Sequence, residues 1–510
     1  MYSSRAHQVR NARRVLLDAS VTASYITPCC AITTAILLSP VWLLLLVFAL
    51  PLYAFLLCVG IVRWPTATEG TTSAERAEPL ANETEFPGQR FEGFPNALDC
   101  GLYWFSATNG GARADTDQGA RNFDRARPSL IYVHGAAPTT VGRGFRETFN
   151  WAASRGQREI LPTAFDVNAS EAWIAAGYNV GVFYWSQLSD EVDARHAEAK
   201  IHTGDGANGM RWLRKDATSG LCEFVAQSRV CGQATVADLL AHELRKAFGA
   251  AGEGCGSYRL VGHSLGAQLV VAAAHLLLED TRRSGDSTVG GLQMPSRIAL
   301  VDPFASRGKR RYFSTPQTCG EVLLSRVQAL QSHGAVAVEY VKTSYLADLP
   351  VCSLPGLREC TAFVELQPPC VPWYDARCGH VAGPALYMLS FALFGVLEEY
   401  TAEPGDGQAA EPLPFDGLAA ASDDRIRELQ RAEWGFRQGA NGKFLRVPKQ
   451  TGYCCATSAY CPPEDAPVST PYCPPSAVTV HETPLPEAGD DDAHDGRKTS
   501  STLAPNPLVC

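Results

Sequence analysis

The chain has 510 residues, of which 46% are hydrophobic and 19% charged, and its formal net charge is −9. That is enough apolar material for one large core with appendages, and too much for a chain that stays disordered. The acidic balance, with no clustered basic stretch, excludes a protein that grips nucleic-acid phosphates. Of the 17 cysteines, 14 follow residue 63, and none forms a Cys-x-x-Cys pair with zinc-finger spacing. Disulfides and an oxidising compartment are therefore expected.

No charged residue occurs from Ala19 to Val62, and Trp42 to Val62 is long enough to cross about 30 Å of hydrocarbon as a helix. Pro51 in its middle is tolerated in a membrane helix. Arg5, Arg10, Arg13 and Arg14 precede the span, and Glu69, Glu75, Glu78, Glu83 and Glu85 follow it, so residues 1–41 are expected in the cytosol. The organisation read from this is a retained signal anchor over 42–62, a Thr-, Glu-, Ala- and Pro-rich stalk over 63–95, and a single-pass protein whose remaining chain is lumenal or extracellular. The competing readings are a cleaved signal peptide and a hairpin of two spans broken at Pro40. Acceptor sequons at Asn82 and Asn168 speak for the lumenal placement.

Residues 96–400 alternate short β-branched or aromatic runs with helical patterns, which predicts an α/β domain with a mostly parallel sheet flanked by helices. Strands are expected at Leu102–Ala107, Ser129–His134, Tyr178–Trp185, Tyr258–His263, Arg297–Asp302, Val336–Lys342 and Thr361–Leu366. Helices are expected at Ala234–Phe248, Leu265–Glu279 and Glu321–Ser332. Lys200 to Cys231 fits neither period and reads as a surface insertion stapled by Cys222 and Cys231. Residues 401–510 change composition: an amphipathic stretch from Asp423 to Trp434, four cysteines among prolines, and an acidic tail expected to be disordered.

Gly262-His263-Ser264-Leu265-Gly266 matches G-x-S-x-G, directly after a strand candidate and directly before a helical run. A nucleophile at so sharp a turn needs small neighbours. A serine hydroxyl also needs a base oriented by an acid, and in α/β hydrolases these follow in the order Ser, Asp, His. Asp302 closes the strand 297–301 and stands before Pro303, while His380 lies further on, in a loop before the apolar stretch Pro384 to Leu397. Asp348 and His333 are the alternative acid and base. His134 and His263 are too close to the oxyanion loop and the nucleophile's turn to be bases. Backbone N–H groups of Ala136, after the strand 129–133, and of Leu265 would form the oxyanion hole.

The order of these motifs resembles the pancreatic-lipase-like family of α/β-hydrolase-fold serine esterases and lipases, over roughly residues 95–400. His134-Gly135 stands at the oxyanion loop and Phe183-Tyr184-Trp185 where the family has a strand ending in Asp-Trp. Val301-Asp302-Pro303 replaces Leu-Asp-Pro, and Val336 to Thr343 a strand ending in His-Thr. Gln367-Pro368-Pro369-Cys370, leading to Cys378-Gly379-His380, matches the run that bears the family's catalytic base. The departures are Ala136 where an aromatic is usual, Gln268 where a histidine is usual, and a Ser264-to-Asp302 interval of 38 residues, longer than typical.

The resemblance implies a carboxylic ester hydrolase acting on lipid esters through an acyl-enzyme on Ser264, with no metal or organic cofactor. It also implies that Cys370 and Cys378 form the bridge at the base of the lid. Only seven residues separate them here, so a phospholipase A1-like or lipase-like enzyme with an open cleft is expected, with Trp373 and Tyr374 contacting acyl chain or membrane. The other functional class is a catalytically silent hydrolase fold kept for binding or adhesion.

Overall fold

The computed structural model describes residues 93–449, apart from 108–109, 150–167, 206–208, 250–254, 285–292, 350–351, 353, 369–375, 394–397, 401–412 and 440–441. The expected membrane span, the stalk up to residue 92, Trp373, Tyr374 and the Cys-rich C-terminal segment lie outside the described residues. Among those described, no helix is long and apolar enough to cross a membrane.

The strands in chain order are β1 (Gly101–Ser106), β2 (Gly110–Arg113), β3 (Ser129–Val133), β4 (Asn179–Tyr184), β5 (Trp212–Lys215), β6 (Cys222–Val225) and β7 (Tyr258–His263). They continue as β8 (Arg297–Val301), β9 (Ala337–Lys342), β10 (Ala362–Glu365), β11 (Glu398–Tyr400), β12 (Leu413–Pro414), β13 (Trp434–Gln438) and β14 (Phe444–Pro448). Twelve of them form one sheet in the order β12-β11-β14-β13-β10-β9-β8-β7-β3-β4-β1-β2. From β4 to β13 the neighbours are parallel. The main helices are α1 (Asp117–Asn122), α2 (Ala194–His202), α3 (Val236–Phe248), α4 (Leu265–Ser284), α5 (Cys319–Gly334), α6 (Ala376–Leu393) and α7 (Asp423–Arg431).

The central strands read as unbroken apolar runs because both faces of the sheet are covered. Ile131 and Val133, Leu260, Ile298 and Leu300 point into one core, against Leu239 and Leu240 of α3 and Val270 of α4. Their strand neighbours Leu130 and Tyr132, Val261, Ala299 and Val301 point into the other, against Ala382 and Met388 of α6 and Ile426 and Leu429 of α7. Every strand and helix expected between 102 and 366 forms, with ends within a few residues of the sequence reading.

The chain passes from β3 outward to β4 and then returns across β3 to β7, so strand order reverses between β3 and β7. In an open parallel sheet, the crevice outside the carboxyl ends at such a switch is where ligands bind. The loop after β3 and the turn after β7 both open there.

Two expectations need correction. Residues 200–231 are not a bridged surface insertion: β5 and β6 pair as an antiparallel hairpin, Met210 and Val230 are buried in the core, and Cys222 is a free, exposed thiol. The boundary at residue 400 also falls inside the sheet, because β13 pairs with β10 and carries β14 beyond it. Arg297 of β8, fully buried, ties this late segment down. Its guanidinium donates to Asp423 at 2.9 Å and to the carbonyls of Leu418 and Ala421, and lies 3.6 Å from Glu339.

Candidate active site

Ser264 is the single residue between β7 and α4, and its φ of +55° puts it in the left-handed region. That conformation costs a non-glycine residue of order 1–3 kcal/mol. The turn is held by Ser264 N–H donating to Val301 O at 3.0 Å and by Phe304 N–H donating to Ser264 O at 3.3 Å. The flanking glycines are there for contact. A Cβ on Gly262 would lie 2.4 Å from Gly266 O, and one on Gly266 would lie 2.2 Å from Val133 O. Ser264 thereby sits at the amino end of a 20-residue helix, whose unsatisfied N–H groups favour negative charge.

Asp302 follows β8 and is also left-handed, at φ +42°. Its own N–H donates to Val341 O at 2.7 Å, and its Oδ1 accepts from the N–H groups of Thr343 and Ser344, both at 3.0 Å. Oδ2 accepts from Ser344 Oγ and from His380 Nδ1, both at 2.5 Å. Burial acts to raise the acid's pKa. The bond to His380, that residue's charge, the Ser344 hydroxyl and the Thr343 N–H outweigh it and hold the carboxyl well below the usual range.

His380 is in the opening turns of α6 rather than in a loop. Gly379 lets that helix reach the sheet, since a Cβ there would lie 2.7 Å from Thr343 O. With Nδ1–H donated to a carboxylate, the Nε2 lone pair of His380 is the basic one. His263, next to Ser264, places its ring 4.4 Å from that of His380 and donates Nε2–H to His380 O at 2.9 Å. Burial, together with the charge of His380, drives the His263 pKa well down, so this ring stays neutral and acts as a prop.

The loop after β3 passes directly over the serine. A Cβ on Gly135 would lie 2.6 Å from Ser264 Cβ and 3.2 Å from its Oγ. His134 fixes the loop's start. Trp185 N–H can only donate, and it donates to His134 Nε2 at 3.3 Å, so Nδ1 carries the proton and donates it to Gly135 O at 2.9 Å. Burial pushes His134 down to about 4, consistent with a neutral ring. Ala136 is half-buried just beyond this glycine, and Leu265, fully buried, begins α4.

The structure therefore brings Ser264, His263, Gly135, Asp302 and His380 to one end of the sheet. It separates off the alternatives: Asp348 pairs with Lys342 Nζ at 2.7 Å, and His333 lies exposed in the last turn of α5. Thr343 and Ser344, which hold Asp302, have no role assigned from the sequence, although their position just after a strand ending beside that of Asp302 is the available signal. Glu147 was also missed. It is half-buried, accepts from Tyr132 OH at 2.8 Å, and interacts with the charge of His380. Burial outweighs both and pushes it up to about 7. Cys378 is disulfide-bonded to a partner outside the described residues. No group of three or more His, Cys, Asp or Glu side chains among the described residues could hold a metal ion.

Fold and site together define an α/β protein with a mostly parallel sheet flanked by helices, with a serine at the strand-to-helix turn and an Asp–His pair at the same end of the sheet. No family model and no curated protein matches the chain. Among solved structures it is similar to a lipase-esterase related protein from Clostridium acetobutylicum ATCC 824, with 13% identity over 42% of this chain and 73% of that one, at a TM-score of 0.17. It is also similar to a protein described as a hydrolase from Agrobacterium vitis S4, with 11% identity over 43% and 69% of the two chains, at a TM-score of 0.17.

Proposed function

We propose that this chain is a serine hydrolase that cleaves carboxylic esters of lipids, phospholipase A1-like or lipase-like, through an acyl-enzyme on Ser264. The observation that carries the reading is the 2.5 Å bond between Asp302 and His380, at the same end of the sheet as a serine in left-handed backbone. Asp302 keeps the Nδ1–H tautomer and stabilises the imidazolium as it forms. His380 Nε2 takes the Ser264 proton while Oγ attacks the ester carbonyl, then passes it to the departing alcohol. Water, deprotonated by the same nitrogen, releases the acid. The N–H groups of Ala136 and Leu265, backed by the amino end of α4, receive the charge on the carbonyl oxygen.

Lipid as substrate is supported by the family resemblance and by the apolar segment 42–62, which in this reading anchors the protein beside a membrane with its catalytic domain lumenal or extracellular. Trp373 and Tyr374, in the short segment before Cys378, would meet acyl chain or bilayer. The decisive experiment is labelling of the intact protein with a fluorophosphonate probe. Wild type is expected to label and to hydrolyse a short-chain ester. Ser264→Ala should lose both, with a fall of several orders of magnitude in kcat and no loss of folding. Ester hydrolysis surviving in Ser264→Ala would refute the mechanism.

A further inference from the structure

Glu198 of α2 is fully buried, and a buried carboxylate needs partners that repay its desolvation. Its partners converge on the stretch that follows Asp302. Oε1 accepts from Ser306 N–H at 2.9 Å and from Gln268 Nε2 at 2.8 Å; Oε2 accepts from Ser306 Oγ and, at 3.5 Å, from Arg310. The same Gln268 amide donates to Phe304 O at 2.7 Å. Phe304 N–H in turn holds Ser264 O.

The proton arrangement behind these bonds is determined. Both Gln268 Nε2 hydrogens are committed, so its Oε1 accepts from His202 Nε2–H at 3.0 Å. Arg326 then donates to His202 Nδ1 at 3.2 Å, which requires a neutral ring, and burial with the Arg326 charge pushes His202 down to about 3. Cys319 lies against the same carboxylate, and Tyr312 OH against Cys319 Sγ at 3.4 Å. Gln268, a departure from the family pattern, is thus the joint between the nucleophile's helix and the acid's loop.

Resting on the serine-hydrolase reading, we propose that Glu198 is a positioning residue: it clamps segment 303–306 to α4 and so fixes Asp302, in its left-handed conformation, relative to Ser264 and His380. A carboxylate that merely stabilised α2 would not hold both sides of Ala305, bonding Ser306 N–H directly and Phe304 O through the Gln268 amide it orients.

The test uses full-length protein in detergent and two readouts, hydrolysis of p-nitrophenyl butyrate and the downfield proton resonance of His380 Nδ1–H, identified as the signal that Asp302→Asn removes. In Glu198→Gln, kcat should fall about 10²-fold with KM within twofold, the acid limb of the pH–rate profile should move to lower pH, and the resonance should shift or broaden. Glu198→Asp should recover part of each. Ser306→Ala, a smaller lesion should Glu198→Gln not fold, should lower kcat about tenfold and move the same resonance. An unchanged resonance in folded Glu198→Gln, or in Ser306→Ala if that is the variant that folds, overturns the proposal. A wild type that neither labels nor hydrolyses ester but shows the resonance moving in the variants would sink the hydrolase reading and leave the clamp standing.

Discussion

Asp302 shows at the scale of one residue how a strained backbone is stabilised. Its left-handed φ is offset by its own N–H on Val341 and by two loop N–H groups on Oδ1, so the side chain is locked before it meets the histidine. Asparagine can keep the Oδ1 bonds but offers no carboxylate to the Nδ1–H. We expect Asp302→Asn to lower kcat by about 10²- to 10⁴-fold. Asp348→Asn, which removes a surface partner of Lys342, should stay near wild type, and the opposite pattern in matched ester assays would move the acid. Glu147 gives a prediction about pH. Its folded pKa is raised to about 7 from an ordinary 4.5, so its contribution to stability is fully present below the unfolded value and is lost as pH rises through about 7. Glu147→Gln keeps an acceptor for Tyr132 without that loss. Unfolding free energies from denaturant melts at about pH 5 to about pH 8 should therefore favour the variant increasingly, by about 1–2 kcal/mol.

Between elements, the site depends on how closely three backbones approach: the loop after β3, the turn after β7 and the opening of α6. Gly135 is the tightest of these approaches to Ser264 itself. Adding one methyl places a carbon 2.6 Å from Ser264 Cβ and 3.0 Å from His263 O, so either the loop or the serine must move. Gly135→Ala should lower kcat about 10²-fold and depress the melting temperature. Gly142→Ala serves as the comparison, because its Cβ would meet only Cys222 Sγ, at an ordinary 3.5 Å, and activity should stay within about twofold of wild type. Equal losses in the two variants would mean the loop tolerates or rejects methyls without regard to the serine.

Across the whole molecule, the described residues of 413–449 are part of the fold and not an appendage. Phe415, Ile426, Leu429, Phe436 and Phe444 are buried in the core that also holds α6, and Asp423 offsets the charge of buried Arg297. A chain ending after Tyr400 would expose the β10 edge and strand Arg297 beside Glu339 without its second carboxylate. It should aggregate, whereas a chain ending after Lys449, whose Nζ donates to Leu429 O at 2.6 Å, should unfold cooperatively and react with the probe. Solubility, thermal melts and labelling of the two truncations decide this.

The alternating α/β plan, the strand–serine–helix turn and the pairing of Asp302 with His380 are legible in the amino-acid pattern, because buried parallel strands and a glycine-flanked turn leave local signatures in apolar runs and spacing. That pattern did not reveal that His380 rides on a helix, since a Cys-Gly-His opening before Pro384 reads as a loop until α6 packs Gly379 against Thr343 O. Nor did it show β13 and β14, short strands whose partner lies about 70 residues earlier in β10. The hairpin at 212–225 was hidden for a related reason, its two four-residue strands lacking apolar alternation. Glu198, Gln268 and Ser344 lie far from their partners along the chain, and a buried polar contact has no periodicity to betray it. Their hydrogen bonds follow from the packing that brings α2, α4 and the loops after β8 and β9 to one end of the sheet.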